Sequence, residues 1–119
     1  MGRVLLVEDD EAFREALAAI LTHRSHDVVP APNGLRALEY LEAGMRPCLI
    51  LSDLMMPRMD GAELWERVRQ APDLRSIPMV IYSAHPDAKR LTGSLGIRAV
   101  LRKPLDLDEL VRITDQHCL

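Results

Sequence analysis

The stretch RVLLVEDDEAFREALAAIL, residues 3–21, carries both rhythms from which the fold can be read. Arg3 to Val7 is a short run of Val and Leu bounded by acids, the pattern of a strand buried on both faces. Beyond Glu8-Asp9-Asp10, apolar residues fall at Phe13, Ala16, Leu17, Ile20 and Leu21. That is the i, i+3, i+4, i+7 spacing of a helix with one buried face.

The same alternation continues along the chain. Asp27 to Ala31 is a weak strand in which Pro30 is tolerable at a sheet edge. Asn33-Gly34 is a turn signal opening a second helix through Ala37, Leu38 and Leu41, and Gly44 lies where that helix would stop. Cys48 to Ser52 is a third apolar run, so Asp53 falls at a strand's C-terminal end, before a Pro- and Gly-punctuated loop from Leu54 to Gly61. Leu64 and Val68 carry a third helix inward, Ser76 to Pro78 breaks the pattern, and Met79 to Tyr82 is strand four with Ser83 at its end. Pro86 to Gly96, with two glycines and few large apolar residues, predicts a short, irregular fourth helix. Ala99 to Arg102 is strand five; Lys103-Pro104 follows, and Asp108 to His117 is a last helix turning Leu110, Val111 and Thr114 inward.

Five strands alternating with five helices predict an α/β domain over residues 1–119: a doubly wound parallel sheet with helices on both faces. Composition agrees, with 48% apolar and 28% charged residues, and argues against disorder or a fibrous repeat. The net charge of -3 comes from interspersed acids and bases, which gives no positive field for nucleic acid or an anionic membrane. No apolar stretch approaches the roughly 20 residues of a membrane span, and the N-terminus is unlike a signal peptide. Cys48 lies in an apolar strand run and two cysteines make no disulfide framework, so Cys48 and Cys118 read as free thiols in a reducing, cytosolic compartment.

Open α/β sheets bind ligands beyond the carboxyl ends of their strands. At that edge the reading places Glu8, Asp9 and Asp10 after strand one, Asp53 after strand three, Ser83 after strand four and Lys103 after strand five. Taken singly, the acids are helix-start or loop residues, Ser83 a turn hydroxyl and Lys103 a solvated charge. Their convergence from four strands reverses that reading. Clustered carboxylates repel one another unless a cation compensates, and a donor set of oxygens without His or Cys suits Mg²⁺, or Mn²⁺, better than zinc. With Lys103 as a point charge and Ser83 as a hydroxyl donor, the edge can hold a tetrahedral anion, and Asp53 is the natural nucleophile for a phosphoryl group.

Val7-Glu8-Asp9-Asp10, Asp53-Leu54-Met55-Met56-Pro57 with Asp60-Gly61, Tyr82-Ser83-Ala84 and Lys103-Pro104 together resemble the response-regulator receiver family of two-component signalling, over nearly the whole chain. The resemblance implies a flavodoxin-like sheet in the order 2-1-3-4-5, an order carried over from the chemotaxis receiver. It implies that Asp53 accepts phosphate from the phosphohistidine of a sensor histidine kinase or phosphotransfer protein. Asp9, Asp53 and the Met55 main-chain carbonyl would bind Mg²⁺, with Glu8 assisting through water. Lys103 would pair with the phosphoryl group, Ser83 would move toward it as the switch residue, and the bond to Pro104 would be cis. Such a domain is not a turnover enzyme beyond self-phosphorylation from small donors and self-dephosphorylation. Its phosphorylated form changes the binding of a downstream effector, which is a partner protein or part of a longer regulator or phosphorelay from which this domain is cut. The sequence departs from the family at Val100, three residues before Lys103, where Tyr or Phe usually stands.

Three rivals share the same residues. A phosphatase working through an aspartyl intermediate would need a second carboxylate where Met55 stands. A flavin carrier would be repelled by the acidic loop after strand one. A pseudo-receiver signalling without phosphate draws its support from Val100. Trp65, Met55, Met56 and Met59 read as packing residues. His23, His26 and His117 have no carboxylate arrangement suggestive of catalysis. His85, two residues past Ser83, lies where it could affect acyl-phosphate lifetime, against the simpler reading of an exposed loop residue before Pro86.

Overall fold

A computed structural model describes residues 2–93 and 96–118. Its strands are β1 (Arg3–Val7), β2 (Asp27–Ala31), β3 (Leu49–Asp53), β4 (Met79–Ser83) and β5 (Ala99–Arg102). Its helices are α1 (Glu11–His23), α2 (Gly34–Glu42), α3 (Gly61–Gln70), α4 (Ala88–Thr92) and α5 (Leu107–Cys118). All strand pairs are parallel, in the order β2-β1-β3-β4-β5. The order reverses beside β1, which puts a crevice between the ends of β1 and β3. Pro30 sits in the edge strand β2, where its missing N–H costs the sheet nothing.

Strand residues alternate between two cores. Leu5, Val7, Ile50, Met79 and Ile81 pack against α2, α3 and Ala88 of α4. Val4, Leu6, Leu49, Leu51, Val80 and Tyr82 pack on the other face against Leu17 and Leu21 of α1 and Leu110 and Ile113 of α5. The period of two thus explains why each central strand is apolar throughout.

Side-chain caps set the helix starts. Asp10 accepts the Phe13 N–H, Asn33 accepts the Arg36 N–H, and Asp60 with Glu63 forms a reciprocal capping box. The expected helical faces need local correction. Ala16 is exposed and Ala18 packs instead, because the apolar seam follows Phe13, Leu17 and Leu21. In α5, Ile113 and Thr114 are buried and Val111 only partly so. The fourth helix is one short segment, Ala88–Thr92; residues 94 and 95 of the expected Pro86–Gly96 stretch lie outside the described residues. The Lys103–Pro104 bond is cis.

One further expectation changes. Cys48 and Cys118 are not free thiols: they form a disulfide, because α5 runs back to the edge where β3 begins and brings their Cα atoms to 5.4 Å. Paired as a disulfide, Cys48 and Cys118 give no indication of a reducing compartment. His26 stands apart from the candidate site acids and pairs with Asp115 on α5, its ring nitrogen Nε2 lying 2.7 Å from Asp115 Oδ1. No helix among the described residues is long and apolar enough to cross a membrane.

Candidate functional site

The carboxyl ends of β1, β3, β4 and β5 meet in one crevice. Asp53, last residue of β3 and 6% exposed, has both carboxylate oxygens engaged: Oδ2 accepts from Lys103 Nζ at 3.1 Å and Oδ1 from the Met55 N–H at 3.3 Å. Its backbone is anchored by the neighbouring Ser52 hydroxyl, which donates to the Asp53 carbonyl at 2.8 Å. The following residue continues the sheet for one more bond, Leu54 N–H to the Tyr82 carbonyl. The helix α3 then comes close enough that a Cβ on Gly61 would stand 2.6 Å from the Asp53 carbonyl oxygen. Only a glycine fits there, which explains Asp60-Gly61 after the loop.

Glu8 stands just beyond β1 and is 1% exposed. One carboxylate oxygen accepts from the Tyr82 hydroxyl at 2.8 Å, the other from the Asp10 N–H at 3.1 Å. Arg14 reaches back to its main-chain carbonyl at 2.8 Å. Burial pushes the Glu8 carboxyl above the usual range; the Asp10 and Tyr82 hydrogen bonds oppose this, the nearby Asp53 charge adds to it, and Lys103 partly offsets it. Asp9, exposed at the rim, completes a cluster in which one carboxylate oxygen each from Glu8, Asp9 and Asp53 lie within 4.8 Å of one another.

Lys103 enters from the end of β5. Its ammonium is 3.1 Å from Asp53 and 3.9 Å from Glu8, and it lies 4.6 Å from the Phe13 ring centroid and 5.4 Å from that of Tyr82. Its main-chain N–H bonds to the Ser83 carbonyl, so β4 fixes where the lysine leaves the sheet. Ser83 is buried, but its hydroxyl oxygen accepts the His85 N–H at 3.0 Å and so serves its own loop. The His85 ring is likewise engaged locally, Nδ1 accepting the Asp87 N–H.

Of the residues the sequence singles out, Glu8, Asp9, Asp53 and Lys103 come together in the fold. Ser83 stands at the adjacent strand end with its hydroxyl turned to the loop, and Asp10 serves as a helix cap instead of joining the cluster. Met55 departs from its expected packing role, the residue being 59% exposed in the loop just after Asp53. Tyr82 and Phe13, which the sequence reading took for a strand residue and a core residue, wall the site; their rings lie 5.8 Å apart. The available signal was a tyrosine at the inward position directly before Ser83, in a chain with only two tyrosines and one phenylalanine.

Three carboxylates face one ammonium, all donors are oxygens, and one carboxylate is buried with its pKa raised. That donor set fits a hard divalent cation, which would relieve the uncompensated negative charge. With Lys103 at its oxygen and Asp9 exposed beside it, the Asp53 carboxylate sits where an oxyanion could be held next to a cation.

Residues 4–115 match the model of the response regulator receiver domain. The chain is 35% identical over 123 residues to a two-component response regulator of Arabidopsis thaliana, ARR17, covering 92% of this chain and 80% of that protein. Among solved structures it resembles the signal receiver domain of a signal transduction histidine kinase from Syntrophus aciditrophicus, with a TM-score of 0.88 and 31% identity, covering 98% of this chain and 89% of the other. The receiver domain of the sensor histidine kinase PA1611 from Pseudomonas aeruginosa, whose active site cleft coordinates a magnesium ion, is similar at a TM-score of 0.88 and 26% identity, covering 98% and 96%.

Proposed function

Because the chain belongs to the response-regulator receiver family, we propose that it is a phosphoryl acceptor in which Asp53 takes a phosphoryl group from the phosphohistidine of a sensor histidine kinase or phosphotransfer protein. An Asp53 carboxylate oxygen attacks phosphorus; the P–N bond to the donor imidazole breaks with its electron pair going to the ring nitrogen, and an acyl phosphate P–O bond forms. Asp9, Asp53 and the Met55 main-chain carbonyl would hold Mg²⁺, with Glu8 assisting through water and Mn²⁺ as the substitute, and the magnesium-bearing cleft of the Pseudomonas receiver supports that reading. When bound, the metal supplies positive charge against the phosphoryl oxygens.

Lys103 keeps the Asp53 carboxylate aimed outward before transfer and transfers its ammonium to the phosphoryl oxygens afterward, an exchange of one anion for another at the same cation. The Ser83 hydroxyl, now bonded to the His85 N–H, is the group free to swing to the phosphoryl group, and that swing re-forms the loop after β4. Phosphorylation thereby shifts the balance between two surface conformations by the difference in its interaction with each, typically about 1–3 kcal/mol. A downstream effector, separate or within a longer regulator, reads the shift. We place this chemistry in the cytoplasm, where kinases draw on ATP.

The observation that carries the reading is the Lys103–Asp53 pair at 3.1 Å beside the Glu8 and Asp9 carboxylates, three strands contributing to one charge arrangement. Incubation with Mg²⁺ and acetyl phosphate, read by intact mass, tests it: a base-labile gain of one phosphoryl group is expected in the parent and none in Asp53→Asn. A pseudo-receiver has one observation in its favour, since Val100 packs into the α2–α3 core where the family carries a ring. A parent chain that gains no mass in this experiment would support it.

A further inference from the structure

The chain has four aromatic residues, one Trp, two Tyr and one Phe, and two of them, Tyr82 and Phe13, stand at the crevice. Tyr82 is fully buried on the α1–α5 side of the sheet, directly opposite Asp53 in the β3–β4 register. A phenol buried this deeply requires a partner for its hydroxyl, and it has taken the carboxylate of Glu8 at 2.8 Å. The second oxygen of Glu8 is fixed by the Asp10 N–H, so the carboxylate is held at both ends in one orientation. The same phenol ring and the Phe13 ring flank the Lys103 ammonium, which cannot move away from Asp53 without leaving their faces. None of this depends on the aromatic position of β5, which is Val100 here.

We propose that Tyr82 is a positioning residue of the phosphoryl-accepting site, its hydroxyl orienting Glu8 for the divalent cation while its ring, with that of Phe13, holds Lys103 against Asp53. The proposal rests on the functional reading above. Groups that hydrogen-bond a metal-site carboxylate from behind fix its direction and commonly govern affinity about 10- to 100-fold. Tyr82 differs from a packing residue in making its polar contact to the site and its apolar contacts to the core with the same side chain.

Tyr82→Phe keeps the ring and removes only the hydroxyl. Titration of the metal-free parent and variant with Mg²⁺ by calorimetry should show the variant binding at least about tenfold more weakly, with a cooperative melt in EDTA confirming that it is folded. Phosphorylation by acetyl phosphate should then show the Mg²⁺ concentration for half-maximal rate rising by the same factor, while the maximal rate at saturating Mg²⁺ stays within about twofold of the parent. A general structural defect would instead depress the maximum. Mg²⁺ binding within twofold of the parent, or a lowered maximal rate with unchanged affinity, overturns the assignment of Tyr82 alone, because the parent still works. A parent that takes neither Mg²⁺ nor phosphoryl overturns the functional reading and this inference with it.

Discussion

Glu8 gives up nearly all contact with water beside a second carboxylate, and this single residue sets a pH signature for the metal-free protein. Burial and Asp53 raise its carboxyl above the ordinary value of 4.5 in the folded chain. Between 4.5 and the raised value the folded state therefore holds a proton that the unfolded chain has released, and stability must fall as pH rises through that interval. Melting in EDTA across mildly acidic pH should show that decline, and Glu8→Gln should remove this component of it; a variant with the same slope as the parent would show that other carboxylates set it. Metal binding runs in the opposite direction, since the cation favours the ionised form. His85 yields a second expectation at this scale. Its ring nitrogen Nδ1 is committed to the Asp87 N–H and its main chain to Ser83. His85→Ala is thus expected to leave the acyl-phosphate lifetime unchanged, and a longer or shorter lifetime in the variant would restore the ring to the chemistry.

At the scale of elements, the crevice depends on α3 starting close against the end of β3. A methyl group on Gly61 would stand 2.6 Å from the Asp53 carbonyl oxygen and 3.2 Å from Leu54 Cα, two backbone atoms that cannot rotate aside, and 3.2 Å from the Ile81 Cδ1 side-chain methyl. Gly61→Ala should destabilise the fold by about 1–3 kcal/mol and weaken Mg²⁺ binding with it, because the strand end carrying Asp53 must shift; denaturant unfolding with and without Mg²⁺ checks both. The elements themselves were legible because their causes are local: unbroken apolar runs for β1, β3 and β4, an acidic helix-start cluster before α1 and the Asn33-Gly34 signal before α2. Which residues faced inward was less so. Ala16 and Ala18 differ in burial by the angle at which α1 lies on the sheet, and Val111 and Ile113 by the angle of α5, and neither angle is written in a period of 3.6. The site acids and Lys103 were legible because strand ends in a parallel sheet share one edge. The role of Tyr82 was not, since an inward strand tyrosine reads as core until the carboxylate above it has a position. Where the Ser83 hydroxyl points was equally hidden, being decided by a loop hydrogen bond.

Across the whole molecule, Cys48 and Cys118 close a loop of 70 residues at the edge of the sheet opposite the crevice, joining the entry to β3 to the last turn of α5. Their pairing was invisible in the sequence because nothing local brings them together; only the return of α5 along β1 and β3 does. A Cβ on Gly2 would collide with the Cys48 sulfur, so the N-terminal entry to β1 packs directly on the bridge. Restricting the unfolded chain by a loop of this length is worth about 4 kcal/mol on the loop-entropy account, a large share of the roughly 5–15 kcal/mol that holds a domain together. In a reducing compartment thiol exchange would open the bridge, and the fold would then rest on the two cores alone. Oxidised protein should therefore unfold at distinctly higher denaturant than the same protein in dithiothreitol, and Cys48→Ser should match the reduced form under both conditions. Mg²⁺ affinity should be the same in all of them, since the carboxylates that would hold the cation stand at the ends of β1 and β3, at the far edge of the sheet from the bridge. Two titratable thiols in the folded protein without reductant would remove the bridge, and a change in Mg²⁺ affinity on reduction would mean that α5 transmits strain from one edge of the sheet to the other.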